Sequence, residues 1–214
     1  GIKVRRPAIP RIDHPTVLSY LDVLQEKKPV GARVAIIGAG GIGFDVGEYL
    51  LHDPAHPLPQ PVATWAGEWG VDLDAATGGG LVPPVASTPV RQIFLLQRKT
   101  SKVGAGLGKT SGWVHRAALA RNGVAMLAGV SYDRIDDQGL HITVGGEQRL
   151  LAVDNVVICA GQDSLTELMP ETDKDGKPLQ AGGPRFHKIG GAALAAELDA
   201  KRAIREGAEL AASL

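Results

Sequence analysis

Arg33-Val34-Ala35-Ile36-Ile37 runs directly into Gly38-Ala39-Gly40-Gly41-Ile42-Gly43, and nothing else in the chain narrows the possible folds as far. A short run that is apolar after its first residue suits a strand buried on both faces of a parallel sheet. Phe44 to His52 continues with helical character. Strand, glycine turn and helix in that order are the context that the dinucleotide fingerprint requires. In such a turn Gly38 makes the sharp bend, Gly40 lets backbone approach a pyrophosphate, and Gly43 lets helix pack on strand. Ala39, Gly41 and Ile42 complete a turn whose free N–H groups and helix dipole face an anion.

The next strand indicates which nucleotide. Ile93-Phe94-Leu95-Leu96-Gln97 ends in Arg98-Lys99. An NAD site carries Asp or Glu here, to accept from the ribose 2′-OH. Two cations imply a 2′-phosphate and hence NADPH, because a guanidinium grips phosphate with a two-pronged hydrogen bond. Lys102 is a weaker candidate for the same group. Arg98 lies 60 positions after Gly38 (98 minus 38), against about 20 in the usual unit. An insertion over residues 53–90 accounts for the excess. This stretch carries Trp65, Trp69 and Gly78-Gly79-Gly80 and reads as a long loop-rich excursion. Gly104 to Thr110 imitates a phosphate-binding P-loop, but Val103 stands where that pattern needs its first glycine. ATP is therefore not expected. Lys109 and Thr110 are expected to cap the next helix or reach a cofactor phosphate.

The remaining elements complete an α/β reading. Helices are expected over Thr16–Leu24 and from Thr110 or Ser111 to Arg121, the latter stopped by Asn122-Gly123. Val124–Leu127 and Val156–Ala160 read as buried strands, and Ala160-Gly161 as a further cofactor-facing turn. Between them the period switches to two from Gly129 to Leu151, with turn signals at 136–139 and 145–147, which predicts an antiparallel meander. Residues 162–184 read as loop and 186–189 as a last strand. Gly190-Gly191 is expected to open an Ala-rich helix across 192–212. The predicted fold is α/β: a Rossmann-like three-layer nucleotide-binding domain with an antiparallel β-meander crossover, over residues 31–161.

Composition excludes several classes. The chain has 214 residues with 23 Lys+Arg and 23 Asp+Glu, so its net charge is zero. That argues against nucleic-acid partners held through phosphates and against a polybasic membrane-surface protein. No apolar run reaches the roughly 18 residues of a membrane span, and Cys159 is the only cysteine. One cysteine builds neither an intramolecular disulfide nor a cluster site, and a cytoplasmic setting is expected. Cys159 reads as an inert buried thiol. His115 has no second ligand at helical spacing and reads as structural. No metal site and no catalytic triad are expected.

Several motifs together resemble one family. They are R-V-A-I-I-G-A-G-G-I-G-F-D at 33–45, L-Q-R-K at 96–99, G-L-G-K-T-S-G-W-V-H-R at 106–116 and D-N-V-V-I-C-A-G-Q at 154–162. They are similar to the C-terminal part of bacterial NADPH-dependent 2,4-dienoyl-CoA reductases, relatives of trimethylamine dehydrogenase and old yellow enzyme. Residues 12–24 and 189–204 share the likeness. The resemblance implies a longer oxidoreductase acting in fatty-acid β-oxidation. In it, a TIM barrel with FMN and a 4Fe–4S cluster precedes an FAD domain with an NADPH domain inserted. Residues 31–161 would be the NADPH domain, and 1–30 and 162–214 flanking pieces of the FAD domain. Gly190 and Gly191 would match a late FAD-contacting turn, leaving a partial FAD site. The chain alone, lacking barrel and cluster, is expected to bind NADPH and to be inactive. The alternative is a stand-alone NADP(H)-binding module with no redox acceptor of its own.

Overall fold

The computed structural model describes residues 1–53, 55, 59–85, 88–170, 184–196 and 199–214. The chain order is β1 (Ile2–Val4), β2 (Val17–Ser19), α1 (Tyr20–Leu24), β3 (Arg33–Ile37), α2 (Gly41–Leu51), α3 (Val62–Trp69), β4 (Gln92–Leu96) and α4 (Gly112–Arg121). It continues with β5 (Ala125–Leu127), β6 (Val130–Asp136), β7 (Gly139–Val144), β8 (Glu147–Leu151), β9 (Asn155–Ile158), β10 (Gln162–Ser164) and α5 (Ala200–Ser213).

The chain forms two compact units, one of residues 6–160 and one of residues 1–5 with 161–214. In the larger unit five strands make a parallel sheet in the order β2-β9-β3-β4-β5. Period-two alternation along β3 sorts its side chains to two faces. Val34 and Ile36 join Phe44, Val46, Leu50 and Leu119 of α2 and α4 in one core. Ala35 and Ile37 join Ile135, Leu140, Ile142 and Leu151 of the meander in the other. Helices, sheet and meander are thus three layers, and the expected α/β fold with its meander crossover is the observed one. The meander is an antiparallel sheet, β6-β7-β8.

Several local expectations need correction. Val17–Ser19 is a strand beside β9, not the start of a helix. A capping box at Ser19 and Asp22 delays the helix to Tyr20, which leaves β-branched Val17 free to pair. Residues 6–30 consequently run in the larger unit rather than with the flanking segments. The 53–90 stretch is not all loop. It holds α3, ended by Gly70 in the left-handed conformation (φ 70°), and a bridge between Val71 and Leu81. Arg121 ties α3 down, donating to the Glu68 carbonyl (3.0 Å) and lying 4.5 Å over the Trp69 ring.

In the smaller unit β1 pairs antiparallel with β10. Residues 186–189 form no strand, and Gly190–Ala192 is a single 3-10 turn. The long helix begins only at Ala200, because the Asp199 side chain caps it by accepting from the Arg202 N–H (2.6 Å). The loop reading of 171–183 lies outside the described residues.

Candidate nucleotide-binding site

The glycine turn sits where the carboxyl ends of β3, β4 and β9 converge. Gly38 has φ 112°, a conformation that glycine adopts without strain. A Cβ there would fall 2.4 Å from the Cys159 carbonyl oxygen and 3.0 Å from the Ala160 nitrogen. Gly38 also donates to the Leu96 carbonyl (2.9 Å). The turn is therefore wedged between the ends of two neighbouring strands. Gly43 faces inward, and a Cβ on it would meet the Gly38 oxygen at 1.8 Å. Gly40 and Gly41 differ, because a Cβ on either would meet nothing within 4 Å. Two glycines are thus fixed by packing and two border open space.

α2 starts at this open space with Gly40 as its N-cap. No side chain caps it, and its first turn carries no acidic residue. Its first N–H groups and positive dipole end are left for an anion.

Cations gather beside it. The backbone after β4 is tied to the segment that leads into the meander. Gln97 N–H donates to the Leu127 carbonyl, Val130 N–H to the Gln97 carbonyl, and Gly129 N–H to the Lys99 carbonyl, at 2.9–3.0 Å. Arg98, Lys99, Lys102 and Lys109 are exposed. None of the four is joined to a carboxylate in any ion pair among the described residues. Tyr132 on β6 is close enough to feel the Arg98 charge. Burial pushes its phenol up to about 12, against the opposing pull of Arg98, so it stays an O–H donor at neutral pH.

The 102–111 loop folds back onto α2. Gly104 has φ 75° and its Cα presses on the Phe44 ring, which a Cβ would meet at 2.7 Å. Arg116 donates to the Gly104 carbonyl (2.9 Å). Lys109 and Thr110 lie exposed ahead of α4, whose N-cap is Ser111 with no side-chain cap bond. The capping alternative for these two residues is therefore not what the loop does. His115 pairs with Glu48 (2.7 Å), joining α4 to α2. Cys159 is buried, and burial drives its thiol up to about 12, so it is no thiolate nucleophile at neutral pH.

The structure brings together Gly38–Gly43, Ala160, Arg98 and Lys99 around the strand ends. Lys102, Lys109 and Thr110 lie exposed on the 102–111 loop of the same unit. Gly161, Gly190 and Gly191 belong to the smaller unit. Gly161 (φ 90°) accepts from the Arg5 N–H at 3.2 Å. Gly190 and Gly191 line an open cleft of about 360 Å³ with Gly1, Ile2, Asp199, Ala200, Arg202 and Ala203. Glu206 already accepts from the Gly190 N–H (2.5 Å) and pairs with Arg202 (3.5 Å). Among the described residues no cluster of metal-ligating side chains occurs, and no helix is long and apolar enough to cross a membrane. Gln97 and Tyr132 were not singled out from the sequence. A polar residue closing an apolar strand was the available signal for Gln97.

A parallel sheet whose first glycine turn opens an uncapped helix defines a dinucleotide-binding α/β domain. The family model for pyridine nucleotide-disulphide oxidoreductases matches residues 1–185, and the chain belongs to that family. It is 26% identical over 171 residues to a metal reductase of Desulforamulus reducens, across 76% of this chain and 23% of that protein. It superposes on 2-naphthoyl-CoA reductase, solved with 2-naphthoyl-CoA, with a TM-score of 0.67 at 21% identity, over 100% of this chain and 26% of that one. The HOCl-induced flavoprotein disulfide reductase RclA of Escherichia coli gives 0.57 at 14% identity, over 100% and 43%. At these identities the two structures share a fold with this chain. The chain spans about a quarter of the metal reductase and of the naphthoyl-CoA reductase.

Proposed function

We propose that the chain is the NADPH-binding part of a flavin and iron–sulfur oxidoreductase that reduces 2,4-dienoyl-CoA. NADPH is preferred to NADH in this reading. The observation that carries it is the exposed, acid-free pair Arg98 and Lys99 at the end of β4, beside the open face of Gly40 and Gly41. When bound, NADPH supplies a hydride and FAD accepts it.

The chain's own residues bind and orient. The α2 N-terminus holds the pyrophosphate, and Gly40 and Gly41 keep the space for it clear. Arg98 and Lys99 grip the 2′-phosphate, with Lys102, Lys109 and Thr110 as exposed auxiliaries. Ala160 bounds the crevice next to Gly38. Residues 6–160 form the nucleotide unit, and 1–5 with 161–214 contribute to the FAD side.

Gly190 and Gly191 fit FAD in part. The Gly190 N–H is occupied by Glu206, and Asp199 stands in the same cleft. Two carboxylates stand there against one cation, Arg202, which Glu206 already pairs, so a flavin carbonyl is a better match than a phosphate for the Gly191 end. FMN and the 4Fe–4S cluster belong to the remainder of such a polypeptide. The dienoyl-CoA substrate rests on the shared motifs at 33–45, 96–99, 106–116 and 154–162.

The test is to mix the purified chain with NADPH, FAD and a dienoyl-CoA and follow absorbance of the reduced nicotinamide. Binding without turnover is expected. Robust turnover with loss of the diene would make this chain an enzyme in its own right. The intact mass of the native gene product separates the alternative. A barrel-sized extension supports the reading, and a product of about this size would favour a stand-alone binding module.

A further inference from the structure

Arg98 and Lys99 lie one residue beyond β4, on four successive bend residues, Arg98 to Ser101. Long cationic side chains on such a loop carry a large rotamer and backbone entropy, which a ligand must remove on binding. Something has to hold the loop if it is to act as a fork.

One side chain does so. The Gln97 side-chain amide nitrogen donates to the Lys99 carbonyl (3.0 Å) and to the Ser101 carbonyl (2.6 Å). Both hydrogens of one amide are thus spent on turning the backbone of 98–101 around Gln97. The Gln97 backbone is itself fixed on both sides, donating to the Leu127 carbonyl (2.9 Å) and accepting from Val130 (3.0 Å). The Lys99 carbonyl accepts a second bond, from the Gly129 N–H (2.9 Å). The Lys99 and Ser101 carbonyls of the loop are therefore engaged by Gln97 and Gly129. The charged ends of Arg98 and Lys99 are left exposed, with Tyr132 close to Arg98.

We infer that Gln97 is the positioning residue of the 2′-phosphate site, preorganising Arg98 and Lys99 so that the chain discriminates NADPH from NADH. Gln97 need not touch the nucleotide. It acts through the loop, by restricting the arrangements that the two cations sample before the phosphate arrives. The inference rests on the NADPH reading above.

The chemistry makes glutamine specific. The task needs two donors on one planar group, reaching two carbonyls two residues apart. Glutamate offers acceptors only and would face two carbonyl oxygens. Methionine has the length but no donor. Asparagine keeps the amide on a stem one carbon shorter, which cannot span both carbonyls.

The experiment is calorimetric titration of NADPH and of NADH into the 214-residue chain and its Gln97→Met, Gln97→Asn and Arg98→Ala variants. Gln97→Met is expected to weaken NADPH about tenfold and NADH less than twofold, and Gln97→Asn to fall between it and wild type. In the double variant Gln97→Met/Arg98→Ala, the glutamine change should cost almost nothing further, because the fork it organises is gone. A purely structural role for Gln97 would instead weaken both nucleotides alike, or lower the thermal midpoint with the ratio unchanged. The outcomes of the two readings separate. Equal wild-type affinities, or no loss in Arg98→Ala, would defeat the NADPH reading itself. A wild-type preference that Arg98→Ala removes but Gln97→Met and Gln97→Asn both retain would overturn the role of Gln97 alone. Should Gln97→Met fail to fold, Gln97→Asn decides by the same ratio.

Discussion

The chain has two glycine-rich turns that look alike in sequence, Gly38–Gly43 and Gly190–Gly191, and they are built for different things. At the first, the helix begins at the turn, no side chain caps it, and no carboxylate lies in its first turn. At the second, only a 3-10 turn forms, the Gly190 N–H is already taken by Glu206, and the long helix starts ten residues later under its own Asp199 cap. Glycine alone therefore does not make an anion site. In the reading proposed above, what makes one is a helix start whose N–H groups the protein has left unclaimed and whose first turn carries no acid.

The sharpest way to break this contrast is Gly43→Ala. Its Cβ would lie 1.8 Å from the Gly38 oxygen, so helix and strand must separate. We expect a loss of about 3 kcal/mol or more. That corresponds to a thermal midpoint lower by about 10 °C, read by circular dichroism, with nucleotide binding lost too. Gly40→Ala should do the opposite. Its Cβ meets nothing within 4 Å and its φ of −88° suits any residue. Stability should change by less than about 1 kcal/mol, while NADPH affinity drops about tenfold or more because the methyl occupies the phosphate's space. The matching control is Gly190→Ala. At φ 56° it is strained, which costs about 1–2 kcal/mol, and NADPH affinity should stay as in wild type.

The smallest effect expected is electrostatic and lies in the meander. Partial burial pulls the Asp136 carboxyl up, but the close His141 ring (2.8 Å) and bonds from the Gln138 N–H and Arg134 outweigh it and hold it at about 2. A depressed carboxyl stabilises the fold above its unfolded value of about 3.8, and that contribution is lost as pH falls towards 2. Asp136→Asn should lower the neutral plateau of a pH-dependent melting series modestly and flatten its acid limb between pH 4 and 2, so that the variant and the unaltered chain converge towards pH 2.

The β3–turn–α2 unit was legible because its signal is local. Five residues fix the strand, and six fix the turn. The meander was legible for the same reason, since its turns at 136–139 and 145–147 interrupt a plain alternation. Val17–Ser19 was not, because its apolar spacing fits a helix equally well and only β9, far along the chain, decides that it is a strand. The late start of α5 turned on Asp199 as a cap, which the alanines around it obscured. At the candidate site, the charges of Arg98 and Lys99 are legible where an NAD site carries a carboxylate. The hold of Gln97 on Lys99 and Ser101 was not, because a side chain bonding two carbonyls of a bend leaves no pattern in sequence.

The central claim is that the end of β4 selects a 2′-phosphate. The most direct measurement is calorimetric titration of NADPH and NADH into the chain and into Arg98→Ala. A charge-assisted bidentate contact contributes roughly 1.5–3 kcal/mol, so NADPH should bind about ten- to a hundredfold more tightly than NADH. Arg98→Ala should bring the two together by weakening NADPH alone. Equal affinities in the unaltered chain, or a preference that survives Arg98→Ala, would contradict the account.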